Sequence, residues 1–131
     1  MIPKFRVWDK NTEDVVYVKT IDLEKDGSIG CIVDYNGINL DMTECVIMQS
    51  TGLKDNNGVE IFEGDIVSVR NHPFQKTESS VGIEIDGDYK VSWNEYDLTW
   101  CAGNLLLARI KPYVTVIGNI YENPELLEVA E

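Results

Sequence analysis

Glu60, Glu63 and Asp65 crowd one short run of the chain, and Asp86 and Asp88 flank a glycine further on. Carboxylates at such spacing could share acid and base duties, or converge on a hard cation such as Mg or Ca. A cation site needs several oxygens aimed at one point, whereas Asp86-Gly87-Asp88 reads as a turn in which Asp bonds neighbouring amides anyway. Asp55-Asn56-Asn57-Gly58 opens like a calcium loop but lacks its later spacing and distal Glu. The single histidine, His72, stands beside Pro73 in a polar stretch, and a nucleophilic relay needs its base held rigidly. Neither a Gly-x-Ser-x-Gly elbow nor a phosphate loop nor a His-Glu-x-x-His helix occurs. Gly82, Gly87 and Gly103 do not precede a helix, so they form no phosphate cradle. These readings expect no catalytic residue, no cofactor and no metal ligand. An enzyme built on carboxylates or a metal near Glu60, Glu63 and Asp65 ranks last of the functional readings.

Aromatic residues offer a different chemistry. Trp93-Asn94-Glu95-Tyr96-Asp97-Leu98-Thr99-Trp100 gathers three rings in one stretch. Trp and Tyr bury large areas while keeping a polar tip, which suits them to protein interfaces. Trp93, Tyr96 and Trp100 are therefore the candidate protein-binding residues. Trp93 alternates with Val91 and is expected in the core. Tyr96 and Trp100 fall in or beside a loop, and either burial or exposure fits them. Glu95 and Asp97 would repel phosphates, which argues against a stacking platform for single strands and for a basic protein surface.

These residues must be positioned by strands, because the apolar periodicity is mostly two. Phe5 and Val7, then Val16 and Val18, flank a polar turn over 9–14 and predict a hairpin. Asp26-Gly27 predicts a turn, followed by a strand through Ile29, Cys31, Val33 and Tyr35 that ends at Asn36-Gly37. Glu44 to Gln49 reads as a further strand. Thr51-Gly52 and Asp55-Asn56-Asn57-Gly58 are turn signals, and Glu63-Gly64-Asp65 leads into Ile66-Val67-Ser68-Val69. Asp65 is expected to bond nearby amides and fix that strand's start. Residues 71–80 read as a mobile polar loop. Val81, Ile83, Ile85 and Tyr89, Val91, Trp93 predict a hairpin across Asp86-Gly87-Asp88. Leu105 to Ile110 reads as a strand buried on both sides, although its length would also suit a helical turn. Val114 to Tyr121 is a last strand with a bulge or bend at Gly118. Asn123-Pro124-Glu125 starts one short helix. The chain is thus expected to be all-β, a single compact unit over 1–131. Within it an N-terminal β region (1–49) packs on an SH3-like barrel or roll (50–131).

With 131 residues and 44% hydrophobic content, the chain can bury a core without staples. Its 23 acidic and 11 basic residues leave a net charge of −12, which opposes direct binding to nucleic-acid backbones. The charge serves solubility, or it marks an acidic decoy that competes with nucleic acid for a basic protein. Cys31, Cys45 and Cys101 are too scattered for a disulfide framework or a zinc site. The start, Met1-Ile2-Pro3-Lys4-Phe5-Arg6, lacks the apolar region of a signal peptide, and no run spans a bilayer. A cytoplasmic, membrane-free protein is expected.

Three patches resemble the YopX family of phage and prophage proteins. They are Lys4-Phe5-Arg6-Val7-Trp8-Asp9; Met48 to Asp55 continuing through Gly58 to Val67; and Val116-Ile117-Gly118-Asn119-Ile120-Tyr121-Glu122-Asn123-Pro124-Glu125-Leu126-Leu127. Residues 70–105 show no such likeness. The resemblance implies a mostly β fold with an SH3-type barrel, carried by phages of Gram-positive bacteria. It implies no established activity, so no catalytic residue carries over. Gly52, Gly58, Gly64, Gly118, Asp65 and Asn123 read as scaffold, which leaves function to the loop and the aromatic stretch. The leading expectation is a non-enzymatic module that binds a protein partner, with self-association an open alternative. The host is a bacterium.

Overall fold

The computed structural model describes residues 4–70 and 86–128, which form two antiparallel sheets and little helix. The chain divides into two compact units, Met1–Ser50 and Thr51–Glu131.

The first unit contains β1 (Phe5–Asp9), β2 (Asp14–Leu23), β3 (Ile29–Asp34), β4 (Asn39–Leu40) and the start of β5 (Cys45–Lys54). Their order is β4-β3-β2-β1-β5. The expected first hairpin is present, with Val7 opposite Val16 on β2 and Ile47 on β5. As a central strand β1 is covered on both edges, and Val7 is wholly buried beside Met48 and Ile32 in the list of core side chains. The turn at Asp26-Gly27 also forms, with Ser28 N–H donating to Asp26 Oδ1 at 2.9 Å.

In the second unit the end of β5 pairs with β6 (Glu60–Phe62). A five-stranded sheet follows in the order β10 (Leu105–Leu106), β9 (Thr99–Ala102), β8 (Gly87–Asn94), β7 (Asp65–Val69) and β11 (Val114–Asn119). Val67 and Val69 alternate inward from β7 and meet Val91, Ala102, Val114 and Ile61 in one buried cluster. Each such side chain contributes about 2 kcal/mol when fully withdrawn from water.

Four expectations change on contact with the structure. Leu105 to Ile110 is not one strand: it is the two-residue β10 followed by a helical turn, α1 (Leu107–Ile110). Leu107 and Ile110 are both buried, and residues three apart share a helix face but lie on opposite faces of a strand. A 3-10 turn at Lys111–Tyr113, with Pro112 in its first turn, then leads into β11. Gly87 and Asp88 are not a turn either, since β8 places them opposite Val69 and Ser68. The other half of that expected hairpin, residues 81–85, lies outside the described residues, as does the loop over 71–80. Thr51-Gly52 does not end a strand. β5 runs through it with Gly52 at φ 79°, while Thr51 Oγ1 donates to Ile61 O (2.8 Å) and accepts from Leu53 N–H. The bulge expected at Gly118 is present as a register shift between Val116 and Gly118. The final helical turn, α2 (Glu125–Glu128), follows Pro124 as expected, but the Asn123 side chain serves the strand: its Oδ1 accepts from Asn119 N–H.

Candidate protein-binding loop and groove

The carboxylates singled out for acid-base or metal chemistry take structural positions. Asp65 is 1% exposed, and its Oδ2 accepts Phe62 N–H at 2.7 Å, which ties the turn before β7 to the strand it starts. Glu63 stands near Tyr121, whose phenol is raised above its ordinary pKa first by burial and then by that negative charge. Asp88 accepts from Arg70 Nη2 at 3.2 Å, while Arg70 Nη1 donates to Val69 O and Gly87 O. Among the described residues no group of three or more His, Cys, Asp or Glu is placed to hold a metal ion. His72 lies outside the described residues.

Asp55 explains the most distinctive segment of the sequence. It is 6% exposed, and Oδ1 accepts from Asn57 N–H (2.8 Å) and Val59 N–H (2.9 Å). Oδ2 accepts from Val116 N–H of β11 at 2.9 Å, and Asn56 N–H donates to Val114 O. One carboxylate thus shapes its own turn and holds a strand far along the chain. Gly58, at φ 82°, supplies the left-handed residue that the turn needs. The same turn recurs at Asp34-Tyr35-Asn36-Gly37-Ile38: Asp34 Oδ1 accepts from Asn36 N–H and Ile38 N–H, and Gly37 has φ 81°. The pattern Asp-x-Asn-Gly at both places was the readable signal for it.

The aromatic stretch becomes the turn between β8 and β9 and the groove beside it. Asn94 pairs with Thr99 across the base of the turn, and Asn94 Oδ1 accepts from Tyr96 N–H (2.9 Å) and Asp97 N–H (3.0 Å). Such side-chain capping of a turn is an ordinary use of Asn. Less ordinary is what the turn displays. Tyr96 is 99% exposed, and Leu98 is 72% exposed with φ 51°. Trp93 lies opposite Trp100, the two rings meeting edge to face at 5.2 Å and 70°. Trp100 packs on the buried cluster, as does Tyr89. Trp93 shares the face of Val91, as the alternation predicts, yet it is 43% exposed and not a core residue. It lies beyond the end of the row of inward side chains, so correct facing does not bring burial. A groove of about 320 Å³ opens here, lined by Ser92, Trp93, Glu95, Tyr96, Cys101 and Gly103.

The first unit provides an internal comparison. Its β1–β2 turn has the same length and design: Asp9 pairs with Asp14, and Asp9 Oδ1 accepts from Asn11 N–H as Asn94 Oδ1 does from Tyr96 N–H. Glu13, at φ 55°, holds the position of Leu98. Among the described residues these are the two non-glycine residues with positive φ. One turn fills that position with a polar side chain, the other with an apolar one. Leu98 was missed by sequence reading, although a leucine between Asp97 and Thr99 in a polar turn was a visible anomaly.

A family model for YopX protein matches residues 4–128. The chain belongs to the YopX protein family. It is also similar to protein EF1440 from Enterococcus faecalis, known from a crystal structure. The identity is 31%, with 97% of this chain and 99% of that one covered and a TM-score of 0.67. No curated protein matches the sequence. Two of the three patches that carried the YopX resemblance are bonded to each other: Asp55 holds Val116, and Ile120 N–H donates to Gly64 O at 2.9 Å. In this YopX chain those residues act on the scaffold. The Asn94–Thr99 turn belongs instead to the stretch where the sequence showed no likeness.

The membrane question has a narrow answer: among the described residues no helix is long and apolar enough to cross a bilayer.

Proposed function

We propose that this YopX-family chain is a non-enzymatic protein-binding module that docks a partner through the Asn94–Thr99 turn and its groove. The observation that carries this reading is Leu98, a large apolar side chain held exposed in left-handed backbone. That conformation costs a branched, non-glycine residue about 1 kcal/mol, and exposure returns little of it. Tyr96 likewise gains nothing for the fold by standing 99% exposed. Two such residues beside a half-exposed tryptophan are what an interface hot spot presents before its partner arrives. The five-strand order, with a 3-10 turn before the last strand, supports reading the second unit as an SH3-like roll that displays its loops. We place its action in the cytoplasm of a bacterium that carries the gene on a phage or prophage.

The test is affinity capture from that host with the wild type and a Trp93→Ser/Tyr96→Ser variant of equal melting temperature. A partner held by the wild type and lost from the variant is the expected result. Equal retention by both overturns the reading. Retention that ignores the aromatics but collapses with salt would point to an acidic decoy.

A further inference from the structure

Resting on the reading of the Asn94–Thr99 turn as a docking surface, we propose that its groove receives an arginine side chain from a basic segment of the partner. The lining offers an indole, Trp93, and a phenol, Tyr96, together with the carboxylate of Glu95. No basic side chain is among the lining residues, and Asp97 adds a second carboxylate to the same turn. Aromatic faces attract cations, and carboxylates pair with them. Guanidinium does both at once, because it is planar, stacks on rings and presents paired donors. Lysine fits less well, being a compact and more strongly hydrated charge on a flexible stem. The edge-to-face contact with Trp100 at 5.2 Å fixes how the Trp93 ring is presented. A volume of about 320 Å³ stands at the small end of ligand sites and suits one long side chain. A nucleotide base could also stack there, but its phosphate would meet Glu95, Asp97 and a chain of net charge −12.

The experiment uses the full chain labelled with nitrogen-15, whose three tryptophans give separate indole signals. The probe is a capped hexapeptide of alternating arginine and glycine, compared with versions carrying lysine or glutamine and with adenosine monophosphate. The arginine peptide is expected to shift the Trp93 indole saturably. The lysine peptide, and Glu95→Gln protein with the arginine peptide, should bind roughly three- to five-fold more weakly. Glu95→Lys should abolish the shift, and the glutamine peptide should cause none. The proposal is overturned by equal shifts from the glutamine peptide, by affinity unchanged in Glu95→Gln, or by a stronger response to adenosine monophosphate. Absence of any Trp93 shift at about 5 mM peptide, the limit of weak binding, overturns it equally. A partner captured through Trp93 and Tyr96 that places no arginine in the groove would overturn this inference and leave the docking reading intact. Capture indifferent to Trp93 and Tyr96 would remove the docking reading itself.

Discussion

Replacing Leu98 by asparagine should make the protein more stable and a worse binder. Leucine at φ 51° carries a steric cost of about 1 kcal/mol, which asparagine largely avoids because its short polar side chain tolerates left-handed backbone. Against that stands the burial that Leu98 retains. At 72% exposure it hides little more than a quarter of its surface, and full burial of a leucine contributes ~2 kcal/mol, so the loss is about 0.5 kcal/mol. The net expectation is a gain of about 0.5 kcal/mol, readable as a higher urea midpoint with an unchanged denaturant slope. Glu13→Asn provides the control, since the same backbone relief there comes without apolar loss and should give about 1 kcal/mol. Leu98→Gly is a poorer test, because glycine loosens the unfolded chain and cancels much of the relief. If Leu98→Asn lowers stability by ~1 kcal/mol or more, Leu98 is a packing residue and its exposure carries no functional meaning. If stability rises while partner capture is untouched, the turn is strained for another reason.

Removing the Asp55 carboxylate as Asp55→Ala should destabilise the second unit by about 3 kcal/mol, measured by urea unfolding, because three backbone amides lose a charged acceptor. Asp55→Asn should cost less, since one oxygen can still serve the turn while the amide nitrogen faces Val116 N–H. Gly118→Ala should lower the melting temperature, because a Cβ there would stand 2.8 Å from Asn123 Cγ, and pairing it with Asn123→Ala should recover part of the loss. Cys31 donates its S–H to Asp22 Oδ2 at 3.1 Å, and that bond, ahead of desolvation and of the charges of Asp22 and Glu24, raises the thiol above its ordinary value. An upward shift favours the folded protein below the ordinary thiol pKa of about 8.5, and that contribution fades as pH rises through the folded value. Asp22→Asn should therefore speed alkylation of Cys31 by iodoacetamide at mildly alkaline pH, and an unchanged rate would contradict the assignment.

Much of the fold was legible because its signals are local. The hairpin of Val7 and Val16 is written in alternation, and the Asp55 turn in Asn-Gly chemistry. Asp65 could be read as a strand starter because its bond to Phe62 spans only three residues. The failures share a different cause. Leu105 to Ile110 is uniformly apolar, so periodicity could not choose between strand and helical turn; only the core that receives Leu107 and Ile110 decides. Gly87 is a turn former that here pairs with Val69, because β7 supplies a partner that no short-range pattern announces. Trp93 alternates correctly, but alternation reports facing and not where the core ends. The candidate site was therefore readable as a place and not as a geometry. Its aromatics stood out, while the backbone of Leu98 and the groove beside Glu95 emerge only when β8 and β9 are paired.

Site-specific photocrosslinking in the host tests the docking claim most directly, because the two equivalent turns serve as probe and control. Benzoylphenylalanine replaces Tyr96 in one variant and Asn11, its counterpart in the β1–β2 turn, in the other. The account predicts a discrete protein adduct from position 96 that Leu98→Asn weakens, and none from position 11. Equal adducts from both positions, or an adduct from position 11 alone, would contradict it.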